Sequence, residues 1–387
     1  MTETGASKIF FTGTHRVRAP EDTYRAVVPL LRDYGITRLA DVTGLDTLGI
    51  PVVMSVRPLA TTLSVSQGKG VSKLLASVSA AMEAIELWHA ENAVPQPVLS
   101  GAPAESLGLP YDVGELEWPD GNLITARTRL DWIEAHLLPH GGPVLVPRAA
   151  VFLGRTADSW QIPGLTTSSN GLASGNTVAE ATVHALYEVM ERDTVAARRG
   201  VPARERRYID PDTVDDDHCA DLIARIGRAG GFLELEDMPG RSGVPCTAAR
   251  LWREDLASTV TLGAGAHGDP AVALSRAITE AAQSRLTQIV GTRDDIPSGA
   301  YRPDQFSRPL PADSCLDWAE VRSAYPDSRR GPRPDHAASS DTDVAEAARL
   351  SERIRDITSY APMRVILEDR AEFAVVKVIC PGMRLSE

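Results

Sequence analysis

The 387-residue sequence has little cysteine, no excess of basic residues and no long apolar run. Its four cysteines, Cys219, Cys246, Cys315 and Cys380, lie far apart without a C-x-x-C pair. That spacing excludes a disulfide framework and a structural zinc site, and points to a reducing cytoplasm. Lys and Arg total 40 against 52 Asp and Glu, a net charge of −12, which argues against nucleic-acid binding driven by excess cations. No stretch approaches the ~18 apolar residues of a membrane span, and residues 1–9 lack the basic-then-apolar layout of a signal peptide. No repeat with a period of about 20–50 residues is present, so solenoids and propellers drop out. A Gly-x-Ser-x-Gly elbow and a dinucleotide fingerprint are missing, which leaves hydrolase and dehydrogenase readings without support. The Gly68-Lys69-Gly70 loop is not a Walker A sequence.

What is there is ordinary for a soluble globular protein: 43% apolar and 24% charged residues, over a length that suits one large or two intimate domains. Pro20, Glu21 and Asp22 open a helix, and strand-like pieces follow over 37–42 and 51–58. Three long helices are predicted over 72–92, 177–199 and 271–291. Short strands are predicted over 144–147, 150–153, 363–368 and 373–379, and residues 328–343, rich in Arg, Pro, Ser and Asp, read as a mobile surface loop. Separated strands and helices without a clean βαβ rhythm indicate an α+β or mixed α/β fold.

The helices carry the chemistry. At about 100° per residue, Ser79, Glu83 and Glu86 share one face of the first helix, flanked by apolar groups. Glu180, His184, Glu188 and Glu191 align on the second helix, and Arg276, Glu280, Gln283 and Thr287 on the third. A single Glu-x-x-Glu is most simply a solvated face. Several carboxylates held close must instead be protonated or neutralised by cations, and a hard divalent ion with phosphate oxygens suits them. The small residues 167–171 and 175–177 lead into the second helix, whose free N–H groups can face an anion. An alternative is a carboxylate-bridged di-iron bundle, hinted at by Glu86-Leu87-Trp88-His89, although only one such Glu-x-x-His step exists. His89 and His184 read as packing or supporting groups rather than ligands.

Ser79-Ala-Ala-Met-Glu83-Ala-Ile-Glu86, Asn170-Gly171-Leu-Ala173-Ser-Gly175-Asn176 with Glu180, Glu188-Val-Met-Glu191-Arg192-Asp193, and Arg276-Ala-Ile-Thr-Glu280-Ala-Ala-Gln283-Ser-Arg285 together resemble the YcaO family. Gly13-Thr14-His15-Arg16, Gly35-Ile36-Thr37-Arg38 and Gly49-Ile50-Pro51-Val52 add a likeness to its TfuA-associated branch, so the resemblance runs over residues 12–380. It implies a YcaO-type α+β fold, with mixed sheets packed against long helices and an ATP/Mg2+ site between them. Residues 1–59 would form the N-terminal part and 60–387 the catalytic core of one functional unit. The implied activity is ATP- and Mg2+-dependent: a nucleophile adds to a peptide amide carbon, the amide oxygen takes the γ-phosphoryl group, and phosphate leaves. An external sulfur donor would give a thioamide, a side-chain Cys, Ser or Thr an azoline, and an internal amine a macroamidine.

By the same resemblance Glu83, Glu86, Glu188, Glu191 and Glu280 take the acidic positions around Mg2+, with Glu83, Glu86, Glu191 and Glu280 assigned to catalysis. Ser79, Asn176, Glu180, Arg192 and Arg276 take nucleotide positions, with Arg16 and Thr23 as further contacts. Met82 stands where some relatives carry Arg. Of the basic run Arg192, Arg198, Arg199, Arg204, Arg206 and Arg207, all but Arg192 read as a solvated helix end. With the close Cys380-Pro-Gly-Met-Arg-Leu-Ser-Glu387, the proline-rich tail typical of azoline-forming members is expected to be absent, and no leader-binding module is expected before Phe10. The resemblance therefore implies a thioamide product, a peptide or protein substrate, and a TfuA-like or leader-binding partner. A cytoplasmic homodimer is expected. A non-catalytic nucleotide-binding scaffold is the competing reading from another class.

Overall fold

Three times the chain runs from a strand at the edge of a sheet through a side-chain cap into a long helix, and these three units build the centre of the molecule. The computed structural model describes residues 5–119, 121–154, 168–199, 201–202, 205–253, 260–293, 295 and 340–385. A hairpin of β1 (Ile9–Phe11) and β2 (Thr14–Arg16) precedes helix α1 (Pro20–Val27). Strands β3 (Arg38–Asp41), β4 (Val52–Val56) and β5 (Val65–Lys69) form a three-stranded sheet in that order, followed by α2 (Lys73–Asn92). Next come β6 (Leu99–Pro103), β7 (Arg129–Leu137), β8 (Pro143–Pro147), β9 (Leu172–Gly175) and helix α3 (Val178–Arg198). Strand β10 (Arg207–Ile209), helix α4 (Asp217–Arg228) and strands β11 (Phe232–Asp237), β12 (Cys246–Trp252) and β13 (Thr261–Ala266) give a four-stranded sheet in strand order, leading into α5 (Pro270–Val290). Helix α6 (Asp343–Thr358) precedes β14 (Met363–Asp369) and β15 (Ala374–Ile379), which enter a six-stranded sheet of order β6-β7-β14-β15-β9, with β8 also on β7. The strand pairings described are antiparallel, so the fold is α+β.

The three junctions repeat one device. Ser72 accepts from Leu75 N–H at 3.2 Å to start α2, Thr177 from Glu180 N–H at 3.1 Å to start α3, and Asp269 from Ala271 N–H at 2.9 Å to start α5. Small residues let helix and strand touch. A Cβ on Gly68 of β5 would lie 2.0 Å from Ala80 N of α2, and one on Gly263 of β13 would lie 2.2 Å from Ala277 O of α5. The apolar sides of the helices close separate cores: Ile85 with Trp132, Ile133 and Phe373; Leu186 and Met190 with Leu350 and Ile354; Ile278 with Leu222, Leu235 and Leu251.

One expectation fails, and another is met by described residues only at its end. The apolar stretch 150–153 is not a strand, because the N–H groups of Val151 and Phe152 both turn back onto Arg148 O at 3.0 Å. Its apolar side chains are buried without a ladder. Residues 328–339 of the expected surface loop lie outside the described residues, whereas Asp343 at its end begins α6 and is buried against Lys8 at 3.1 Å. No helix among the described residues is long and apolar enough to cross a membrane.

Candidate active site

The polar files of α2, α3 and α5 are not solvated faces; all three turn inward onto one cavity of about 510 Å³. Its lining takes Ser79, Glu83 and Glu86 from α2, Glu180, His184, Glu188, Glu191 and Arg192 from α3, and Arg276, Glu280, Gln283 and Thr287 from α5. Asn176 reaches it from the turn before α3, and Arg16 and Thr23 reach it from the N-terminal segment. Every candidate site residue read from the sequence is therefore in one place.

The strands explain why the carboxylates stay there. β5, β9 and β13 each lie at the edge of a sheet, so alternate backbone groups have no ladder partner. Glutamates of the helices take those groups. Gln67 N–H of β5 faces the Glu83 carboxylate and opposes the rise in its pKa. Ser174 of β9 donates its N–H at 2.8 Å and its hydroxyl at 2.5 Å to Glu86 Oε1. Ala266 N–H of β13 donates to Glu191 Oε2 at 3.0 Å. Opposite Glu83, the side chain of Gln283 donates to Gln67 O at 2.6 Å. The edges of three sheets are thus sealed by the side chains that line the cavity, which fixes the carboxylates without neutralising them.

Burial opposes ionisation of this set. It pushes Glu83 and Glu188 up to about 7 and Glu86 up to about 8 from an ordinary 4.5. Glu191 is likewise raised, first by burial and then by Glu280. Burial works against Glu280 too, but its ion pair with Lys69 and the nearby Arg192 outweigh it and hold the carboxyl below 4.5. Glu180 serves differently: it accepts from Val17 N–H at 2.9 Å, Asn176 N–H at 3.1 Å and Asn176 Nδ2 at 3.0 Å, with Arg16 Nε 3.6 Å away. Thr23 donates to Asn176 Oδ1 at 2.7 Å, which orients that amide.

Among the described residues, no three His, Cys, Asp or Glu side chains are drawn together closely enough to hold a metal by themselves. Mg2+ asks for less, since it keeps waters and shares phosphate oxygens with one or two carboxylates. The lining suits that division. Its donors are hard oxygens, and the Nε atoms of Arg192 and Arg276 are buried without a hydrogen-bond partner, as donors awaiting an anion would be. Lys69 carries no sequence signal for the site, because its loop lacks a Walker pattern; its place beside Glu280 depends on the β5–α5 contact, which no local pattern reveals. His184 also lines the cavity, whereas His89 lies outside it, packing among Tyr34, Trp88 and Phe373, bonding Ile85 O at 2.8 Å and placing Nε2 3.6 Å from Glu368 Oε2. The Glu86–His89 step is therefore not a shared ligand pair. Ser168 and Asn170 of the small-residue approach bond Glu117 at 2.8 and 2.7 Å, and Thr167 is outside the described residues. Of the basic run, Arg192 lines the cavity, Arg198 pairs with Glu236, and Arg204 lies outside the described residues.

An α+β cavity in which acidic helix faces meet arginines defines an enzyme that handles a metal-bound phosphate compound. Residues 67–384 match the family described as YcaO cyclodehydratase, ATP- and Mg2+-binding. A Mycobacterium tuberculosis protein is 41% identical over 379 residues, 97% of this chain and 83% of its own length. A protein in the tfuA 3′ region of Rhizobium leguminosarum bv. trifolii is 39% identical over 299 residues, 74% of this chain and 70% of its own. YcaO from Methanopyrus kandleri bound with AMPPCP and Mg2+ shares the fold at a TM-score of 0.69 and 23% identity, covering 99% of this chain and 98% of that one. A heterocyclase in complex with substrate and cofactor gives a TM-score of 0.76 at 21% identity; all of this chain spans 54% of it. The chain belongs to the YcaO family and is an ATP- and Mg2+-dependent peptide-modifying enzyme.

Proposed function

We propose that the protein activates a backbone amide of a ribosomally made peptide or protein and, with a TfuA-like partner and an external sulfur donor, converts it into a thioamide. The convergence of the three polar helix files on one cavity carries the amide-activation reading. The 39% identical relative from a tfuA 3′ region supports the thioamide and the partner. In this reading Glu83, Glu86, Glu188, Glu191 and Glu280 hold Mg2+, while Ser79, Asn176, Glu180, Arg192 and Arg276 hold the nucleotide, with Arg16 and Thr23 as outer contacts. Bound there, Mg2+-ATP supplies the phosphoryl group that turns the amide oxygen into a leaving group. The chain's own part is positioning and charge neutralisation: Arg192 and Arg276 direct N–H groups at phosphate oxygens, and edge-strand N–H groups keep the glutamates aimed. Because Arg16 and Thr23 reach the cavity, residues 1–59 and 60–387 act as one functional unit. A cytoplasmic homodimer completes the reading, and its mass is checked by light scattering.

The test combines the purified chain, the TfuA-like partner, ATP, Mg2+, sulfide and a candidate peptide, and weighs the product. Replacement of one oxygen by sulfur is expected. Loss of one water would instead assign an azoline or a macroamidine, and retention of the peptide mass would leave a nucleotide-binding scaffold. Glu191→Gln is expected to lower turnover by about 100-fold or more while the far-UV spectrum is kept; unchanged turnover would remove Glu191 from the metal site.

A further inference from the structure

Arg276 has a problem that its own helix does not solve. Its Nε is buried without a partner, and no carboxylate among the described residues pairs with it, yet it faces a cavity in which direction decides usefulness. The guanidinium finds one fixed neighbour across the helix interface: Nη1 lies 3.4 Å from Nε2 of His184. The same imidazole faces the carbonyl of Ser174, an edge group of β9 that the ladder to β15 does not use. A chain of contacts thus runs from β9 through His184 of α3 to Arg276 of α5, joining two of the three strand–helix units.

The protonation state makes the contact directional. Burial first, then the Arg276 and Arg16 cations, holds His184 well below 6.5, so the ring is neutral and carries one N–H and one lone pair. With the N–H turned to the Ser174 carbonyl, the lone pair falls on Nε2, facing the Arg276 donor. A neutral acceptor orients a guanidinium without cancelling its charge, as a carboxylate in the same place would. The remaining Arg276 donors stay available to an anion.

We propose that His184 is a positioning residue that aims Arg276 at the nucleotide phosphates. The proposal rests on the reading of Arg276 as a nucleotide contact, and its test separates the two. Binding of a non-hydrolysable ATP analogue with Mg2+ is measured by calorimetry, so that no turnover is needed, for His184→Ala, Arg276→Ala and the double variant. Each single change is expected to weaken binding by about tenfold, within the range seen when a partner that orients a ligating group is removed. The double variant should bind no worse than the weaker single one, because both changes remove the same contact. Additive losses would overturn the proposal while leaving Arg276 as a contact. An Arg276→Ala protein that binds normally would overturn both readings at once. If His184→Ala does not fold, His184→Gln and His184→Asn decide: Gln keeps an acceptor near the Nε2 position and should bind within about threefold of the parent, whereas Asn keeps only the link to Ser174 and should not. Equal binding by these two variants would refute the positioning role.

Discussion

Glu86 is a carboxylate that its surroundings hold still but do not charge. Two donors from Ser174 fix one oxygen, while burial and the neighbouring Glu83 and Glu188 push its pKa up to about 8. With Glu83 and Glu188 at about 7, three carboxyls keep their protons well above the usual carboxylate range in the ligand-free fold. A group whose folded value lies above its unfolded value of 4.5 stabilises the fold below that value and loses this contribution as pH rises through the folded one. Melting of the ligand-free protein should therefore fall by a few degrees between about pH 5 and pH 8 through these groups. Mg2+ with nucleotide gives the ionised forms a partner, so the decline should flatten when both are present. A ligand-free melting temperature that climbs steadily over this range would show that the three carboxyls are already ionised.

At the scale of elements, the fit of strand to helix sets the cavity. Gly68→Ala would drive a methyl into the α2 backbone, with Ala80 N at 2.0 Å and Ala76 O at 2.3 Å, and neither can swing away as a side chain does. A loss of about 2–3 kcal/mol in urea unfolding is expected, against less than about 0.5 kcal/mol for Gly44→Ala, where nothing lies within 4 Å of the new methyl. Equal losses would mean that α2 does not rest on β5 as described. The same elements show what the sequence could and could not reveal. The files on α2, α3 and α5 were legible because a 3.6-residue period converts spacing directly into a shared face, and Ser72, Thr177 and Asp269 mark the starts of those helices. Helices α4 and α6 and the strands β9 and β10 to β13 carry no comparable signal. Their short or mixed patterns acquire meaning only from pairing, as when Glu234 and Glu236 of β11 are buried against Arg250 of β12. The backbone donors of Gln67, Ser174 and Ala266 leave no mark on residue type at all, since any residue at a sheet edge offers the same N–H.

Across the whole molecule, the cavity belongs to no single sheet. β5, β9 and β13 come from three different sheets, and the edge N–H of each faces a glutamate: Glu83 and Glu86 of α2 at β5 and β9, and Glu191 of α3 at β13. A ligand that bridges these carboxylates and Arg192 must therefore tie together units that otherwise open separately. Two measurements follow from that arrangement. Thermal unfolding should shift upward only when ATP and Mg2+ are both present, by the equivalent of about 2.7 kcal/mol at a hundredfold excess over Kd, and not with ATP and EDTA or with Fe2+ alone. Amide exchange should slow in β5, β9 and β13 together under the same condition, because one ligand restrains all three edges. Protection confined to one strand–helix unit would place the nucleotide against that unit alone and deny the other carboxylates a part in binding it. A rise with Fe2+ alone would instead bring back the di-iron alternative, with the same acidic helices holding a different metal.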